Sequence, residues 1–289
     1  MPELPEVETI RRDLNKAIIG KTIKAVEIKT PKMLRPLTVN KIKQDLLGAT
    51  ITRADRRAKI LILSLDTKKH LLVHLKMTGQ LIFQAAKTKT LIVGGHPQKG
   101  GLESLPNKFT RAIFTFSDGS ILYFNDLRKF GWLKTVSEAG LAEIKNAHGP
   151  EPLTNDFTLP YFETILHRFK NRPIKQLLLD QKLIAGLGNI YVDESLFRAK
   201  ILPTRKSGLL KPAEVAALYA KIIEVLKLAI KKKGTSARNY RLVDGGVGGF
   251  VNYLNVYGRA GAACKVCGSK IKKIKLAGRG THFCEKCQK

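Results

Sequence analysis

Apolar positions repeat at helical spacing near the start of the chain. Val7, Ile10, Leu14 and Ile18 fall on one face of residues 5–18, and Pro5 sits in the first turn. From about Thr22 to Val136 the pattern shortens to alternating or wholly apolar runs: TIKAVEI, ATITRA, AKILILSL, HLLVHLKM, GQLIF, TRAIFTF, SILYF and GWLKTV. So many short strands between turns predict a β-sandwich or barrel-like domain. Residues 86–108 break the rhythm with Gly, Pro and Lys and read as a long loop. After the proline-bearing segment GPEPLTNDFTLPYF the period becomes helical. It is clearest over 212–233, where Val215, Leu218, Tyr219, Ile222, Leu226 and Ile230 form a stripe between Pro212 and Gly234. The expectation is an α+β multidomain chain. A leading helix and an N-terminal β-sandwich occupy 2–136, an interdomain linker region 137–160, a helical domain 161–254 and a small module 255–289. The glycine-rich DGGVGG at 244–249 reads as a mobile stretch.

Charge narrows the partners. The 289 residues carry 52 Lys+Arg against 23 Asp+Glu, a formal charge of +29, while 44% hydrophobic residues suffice for a real core. A field this one-sided points to a polyanion, nucleic acid or an anionic membrane surface. No apolar run approaches the roughly 18 to 20 residues that span a bilayer, and the first twelve residues do not form a signal-peptide apolar block, so the expected compartment is the cytoplasm. All four cysteines lie in the terminal module, as Cys264-x2-Cys267-x16-Cys284-x2-Cys287. Two Cys-x-x-Cys turns separated by such an excursion match a tetrahedral structural zinc with all four ligands supplied; two disulfides in a secreted protein are the alternative. His282 reads as a surface residue of the intervening hairpin, whose Lys270, Lys272, Lys273, Lys275 and Arg279 make it basic.

The amino terminus offers chemistry. Removal of Met1 before Pro2 would leave a secondary amine, and an α-amino group titrates near 8 against about 10.4 for lysine, so far more of it is unprotonated at neutral pH. The positive end of the helix beginning at Pro5 favours the carboxylates of Glu3 and Glu6 beside it. On chemistry alone, an ordinary Met-Pro start with acidic residues in a helix's first turn accounts for the same residues.

PELPEVET at the start, RRAKILIL at 56–63, HLKMTG at 74–79, DLRKFG at 126–131, LIAGLGNIYVDESLF at 183–197 and GRGTHFCEKC at 278–287 together resemble the bacterial formamidopyrimidine-DNA glycosylase (Fpg/MutM) family. The resemblance runs from end to end. It implies a helix-two-turn-helix in the helical domain and a β-hairpin zinc finger at the end. It also implies a bifunctional DNA glycosylase and abasic-site lyase that excises 8-oxoguanine and formamidopyrimidines from duplex DNA by base flipping. In that family the amino-terminal proline, here Pro2, attacks the sugar's anomeric carbon, and the resulting imine resolves by β- and δ-elimination. Glu3 corresponds to the acid/base, Glu6 to a second pocket carboxylate and Lys59 to a strand-borne lysine approaching the lesion and its phosphate. Met77, Arg128 and Phe130 correspond to the residues that fill the gap and face the orphaned base; without the resemblance, Met77 reads as core. Asn189 corresponds to a phosphate contact, Arg279 to the finger arginine, and Cys264, Cys267, Cys284 and Cys287 to the ligands of one zinc ion. DGGVGG falls where the family has a lid over the flipped base.

The chain departs from the family pattern at Ala58, where glycine is common, at Phe109, where histidine is usual, and at Leu127, where proline or valine is common. None is a proposed catalytic group. The resemblance further implies a monomer acting on double-stranded DNA that holds an oxidised purine or an abasic site, associated with the nucleoid and not with a membrane. Two other readings compete: an endonuclease VIII-like glycosylase for oxidised pyrimidines, against which PELPE and DLRKFG argue, and a non-catalytic zinc-ribbon nucleic-acid-binding protein, which leaves the amino-terminal cluster unexplained.

Overall fold

The computed structural model describes residues 2–87, 91–95, 104–235 and 249–289. The chain divides into two compact units, Met1–Asn146 with Lys233–Gly249, and Ala147–Lys232 with Phe250–Lys289. DGGVGG lies outside the described residues apart from Gly249.

The first unit is a β-sandwich led by a helix. Helix α1 spans Leu4–Ala17 with Pro5 in its first turn. One sheet has five strands in the order β1 (Ile23–Ile28), β7 (Thr110–Phe116), β8 (Ile121–Asp126), β5 (Gly79–Gln84) and β6 (Leu91–Gly95). The other has four: β2 (Ile51–Arg57), β3 (Ile60–Leu65), β4 (Lys69–His74) and β9 (Trp132–Ser137). All their pairings are antiparallel. One core joins Val7, Ile10 and Leu14 of α1 to Leu61, Leu63 and Val73 of one sheet and Leu81, Phe114 and Phe124 of the other. Burying these faces is the main term holding the unit together, at about 25 cal/mol per Å² of apolar surface removed from water.

The run ILILSL of β3 is buried at every position. Its second face, Ile60 and Ile62, packs with Leu72, Val136 and Leu141. Leu141 belongs to α3 (Glu138–Asn146), a helix within the stretch 137–160 that the sequence assigned to a linker. Two further elements were not expected. Strand β6 lies inside the segment read as a loop, pairing Gln84 with Leu91 and Gln80 with Gly95. Helix α2 (Val39–Leu46) buries only Ile42 and Leu46 and starts at Thr38, whose Oγ1 accepts the Lys41 N–H.

The second unit is helical, with α4 (Leu159–Arg168), α5 (Ile174–Leu178), α6 (Asn189–Arg198) and α7 (Pro212–Lys231). The expected stripe of α7 is its buried face: Val215, Leu218, Ile222 and Leu226 join Tyr191, Leu196 and Phe250 in one core. Glu194 of α6 is fully buried and collects the backbone N–H groups of Asn255, Val256 and Tyr257 at 2.9–3.0 Å. That carboxylate fixes the turn that leads into the terminal hairpin, β10 (Lys272–Leu276) and β11 (Arg279–Phe283). Among the described residues, no helix is long and apolar enough to cross a membrane.

Candidate active site and metal centre

Pro2, Glu3 and Glu6 are all buried at the amino-terminal end of α1. Glu3 is the residue at the helix start, and its N–H donates to Glu6 Oε2 at 2.9 Å, so Glu6 bends back over the first turn as the second half of a capping box does. The other oxygen, Oε1, accepts the N–H of Thr235 at 2.8 Å and its hydroxyl at 3.0 Å. One carboxylate thus joins the amino-terminal residues to a segment 229 positions along the chain. Thr235 had no signal in the sequence, because a threonine after a lysine run and a glycine is an ordinary helix exit.

The direction of α1 is set by a polar clamp. Asn15 donates from Nδ2 to the Ala54 carbonyl at 2.6 Å and accepts the Ala54 N–H on Oδ1 at 3.1 Å, which docks the helix on β2. Glu8 binds Arg11 and Arg12 of its own helix and accepts Arg56 Nε of β2 at 2.9 Å. Burial works against the Glu8 carboxylate, but the hydrogen bonds from Arg11 and Arg12 and the Arg56 charge outweigh it and hold its pKa at about 2. Strand β2 then turns into β3 through Ala58 and Lys59. Ala58 is in the left-handed region, φ 52°, and is 2% exposed. Lys59 is 8% exposed, and it lies in the hairpin between β2 and β3, two of the strands that α1 contacts.

Met77 and Phe130 are surface residues, 37% and 52% exposed, so neither fills the core. Met77 lies in the turn between β4 and β5; Arg128 and Phe130 lie in the loop between β8 and β9, the guanidinium carbon 4.6 Å from the Phe130 ring centroid. The first connection ends and the second begins at directly paired positions, Gly79 and Asp126.

In the second unit, Asn189 opens α6 after the Gly188 cap. Its Nδ2 donates to the Gly280 carbonyl of β11 at 2.8 Å, and among the described residues its buried Oδ1 has no hydrogen-bond partner. The side-chain amide is therefore engaged with the hairpin. Beside it Lys175, 1% exposed, donates to Asp193 Oδ1 at 2.6 Å and to the same Gly280 carbonyl at 3.1 Å. Asp193 Oδ2 accepts the His282 N–H at 2.9 Å. His282 is thus a buried partner of Asp193, 8% exposed, and not the surface residue its place in a basic hairpin suggested. Arg279, Lys272, Lys273 and Lys275 remain exposed on the hairpin.

The four cysteine sulfurs lie within 4.8 Å of one another. Cys264 and Cys287 sulfurs are 3.9 Å apart and those of Cys267 and Cys284 3.5 Å. A disulfide needs about 2.05 Å. Zn–S bonds of about 2.3 Å at tetrahedral angles put sulfurs about 3.8 Å apart, which these separations match. Four thiolates this close repel one another, and a cation among them offsets that repulsion. The site binds one structural zinc through Cys264, Cys267, Cys284 and Cys287.

Family models match the whole arrangement in order: formamidopyrimidine-DNA glycosylase N-terminal domain over residues 1–133, formamidopyrimidine-DNA glycosylase H2TH domain over 148–240, and the zinc finger found in FPG and IleRS over 261–289. A formamidopyrimidine-DNA glycosylase of Enterococcus faecalis is 42% identical over 290 residues, covering 100% of this chain and 97% of that protein. The chain belongs to the formamidopyrimidine-DNA glycosylase family. It is a DNA glycosylase, as the family name states. Its structure is similar to that of the Lactococcus lactis Fpg in complex with abasic-site DNA, with a TM-score of 0.88, 38% identity and 99% of each chain covered. It is similar also to the wild-type Lactococcus lactis Fpg bound to DNA containing N7-benzyl-Fapy-dG, with a TM-score of 0.87, 38% identity and the same coverage.

Proposed function

We propose that this glycosylase excises oxidised purines, 8-oxoguanine and formamidopyrimidines, from duplex DNA and then cleaves the strand as an abasic-site lyase. The observation that carries this reading is the buried cluster of Pro2, Glu3 and Glu6 at the start of α1, with Glu6 holding the Glu3 backbone. Cleavage of Met1 frees the Pro2 amine. Its lone pair forms a bond to the anomeric carbon, and the bond from that carbon to the base breaks, the departing base taking the electron pair and a proton. Glu3 gives a proton to the sugar ring oxygen as the ring opens to the iminium, then accepts protons during elimination. Loss of the C2′ proton expels the 3′-phosphate, and a second elimination expels the 5′-phosphate. Lys59, in the hairpin between β2 and β3, supports the lesion's phosphate.

Met77, Arg128 and Phe130 fill the gap left by the extruded nucleotide. Met77 and Phe130 supply exposed apolar surface for the base step, and Arg128 supplies donors to the orphaned base. Phosphates flanking the lesion are held by Arg279 and by the start of α6 at Asn189. Chemistry belongs to 2–136, the DNA grip to 161–254 and 255–289, and the protein works as a monomer on the nucleoid in the cytoplasm. Borohydride trapping on duplex DNA with 8-oxoguanine or an abasic site tests the mechanism: a covalent adduct is expected with the native amino terminus and none with Pro2→Gly that also carries an uncleaved amino-terminal extension. An adduct of undiminished yield from that extended variant would overturn it, and mass spectrometry of the native protein checks loss of Met1.

A further inference from the structure

Beneath the turns that carry the exposed Met77 and the exposed Leu127–Phe130 lies a buried hydrogen-bond node. Asp126 is 1% exposed and Thr78 9%. The Thr78 hydroxyl donates to Asp126 Oδ1, and the same hydroxyl oxygen accepts the Arg128 N–H at 3.0 Å. Asp126 Oδ1 also accepts the Arg128 N–H at 3.2 Å, and Oδ2 accepts the Gly131 N–H at 2.7 Å. The Asp126 main chain is fixed as well: its N–H donates to the Phe109 carbonyl at 2.9 Å and its carbonyl accepts Arg111 Nε at 2.8 Å. A side chain at Gly131 would put its Cβ 2.6 Å from Phe124 Cζ and 3.1 Å from Asp126 Oδ2, so the loop closes tightly over the carboxylate.

We propose that Thr78 and Asp126 are positioning residues that hold the Met77 turn and the Arg128–Phe130 loop together as one preformed wedge, so that opening of the duplex depends on a side-chain pair too buried to touch DNA. This rests on the reading of Met77, Arg128 and Phe130 given above. The physical reason is entropic and geometric. Two exposed loops that must enter a base stack together lose conformational freedom on binding unless the protein has already ordered them. Thr78 links the Met77 turn to the other loop, reaching both the Asp126 carboxylate and the Arg128 backbone. Asp126 carries the charge that gathers the N–H groups at both ends of the Arg128–Phe130 loop, and charge-assisted hydrogen bonds are the stronger kind.

Thr78→Val keeps the volume and removes both hydrogen bonds; Thr78→Ser keeps the hydroxyl. Three readouts are compared: fluorescence of 2-aminopurine placed beside 8-oxoguanine in a duplex, which reports unstacking; single-turnover excision from that duplex; and borohydride trapping on a single-stranded abasic oligonucleotide, which needs no wedge. Thr78→Val is expected to slow unstacking and duplex excision at least tenfold, a loss at least fivefold larger than its loss in single-strand trapping, with Thr78→Ser within about threefold of the parent. Unstacking at the parent rate in Thr78→Val overturns the proposal. So does an equal loss on single strand and duplex, which marks a merely structural role, and so does failure of Thr78→Ser to restore the duplex rates. The double variant Met77→Ala/Phe130→Ala separates the two levels. If it unstacks the duplex at the parent rate, the wedge reading fails and the proposal with it; if it is slow while Thr78→Val is normal, only the positioning pair is rejected.

Discussion

The Glu6 carboxylate receives both the N–H and the hydroxyl of Thr235, a residue 229 positions away along the chain. Its other oxygen holds the Glu3 N–H, so the amino-terminal cluster is braced from a distant segment. Gly234 makes the approach possible: its φ is +85°, and a Cβ there would sit 2.7 Å from Glu6 Oε1. Hydrogen bonds to a charged group contribute about 1.5–3 kcal/mol, so cutting this brace is expected to slow imine formation by roughly 10- to 100-fold. Thr235→Val and Gly234→Ala, assayed by the rate of borohydride trapping on abasic duplex DNA, check it. Trapping at the parent rate in both would show that the brace does not order the amine.

Glu8 links the helix carrying that cluster to β2 through Arg56, and its depressed pKa fixes the sign of a pH effect. A carboxylate with a folded pKa below its unfolded value contributes stability above the unfolded pKa and loses it as pH falls through the folded one. With an ordinary value of 4.5 and a folded value of about 2, the contribution is complete above about pH 4.5 and gone near pH 2. From the size of the shift it amounts to at most about 3 kcal/mol. Glu8→Gln is therefore expected to lower stability at neutral pH and to flatten the stability curve between pH 4.5 and 2, measured by urea unfolding at a series of pH values. A curve parallel to the parent's would place the acid sensitivity in other groups.

Ala58 occupies a left-handed position, where a non-glycine residue costs roughly 1–2 kcal/mol, while replacing alanine by glycine returns about 0.4–1 kcal/mol to the unfolded chain's entropy. Ala58→Gly is accordingly expected to stabilise the protein by about 0.5–1 kcal/mol. Thermal unfolding checks the sign directly. A lower Tm would mean that the buried methyl group of Ala58 contributes more packing than its backbone conformation costs.

The sandwich, the leading helix, the long α7 and the four-cysteine module were legible because each follows from a period or a spacing that survives in one dimension. Strand β6 was hidden because Leu91–Gly95 carries two glycines and sits among further glycine, proline and lysine; pairing with β5 makes it a strand, and that is a tertiary fact. Helix α3 was hidden because it buries Leu141 alone among its nine residues. The chemistry divides similarly. Glu3, Glu6 and the cysteines stand out by adjacency or spacing. Thr235, Asp126 and Asp193 act across folds of the chain, and a lone threonine or aspartate carries no mark of its eventual partner.

Asp193 is the partner of Lys175 Nζ, the His282 main-chain N–H and, at 3.3 Å, the His282 ring Nδ1, and its side chain is fully buried. Removing one member of a buried ion pair leaves an uncompensated charge and costs about 3–5 kcal/mol, whereas replacing both by apolar residues costs much less. Asp193→Asn is expected to lower stability by that amount and to loosen the hairpin that carries Arg279, and Lys175→Met on the same background is expected to recover part of it. Urea unfolding of the zinc-loaded single and double variants gives the coupling. Additive losses would show that Lys175 and Asp193 act independently.

The exposed lysines of β10 and Arg279 sit on the hairpin that closes the four-cysteine cluster, so under the proposed role of Arg279 the metal and the DNA grip are linked through structure. Neutralising about six phosphates makes affinity fall about a thousandfold between 50 and 200 mM salt. The parent protein is expected to show that slope with one zinc per chain. Cys284→Ser, which removes a fully buried ligand, is expected to lose the metal and to flatten the slope, because hairpin cations no longer meet the phosphates together. Metal content by mass spectrometry and duplex binding across a salt series test both halves. Parent-like salt dependence in a protein verified to lack zinc would mean that the basic grip lies elsewhere on the chain.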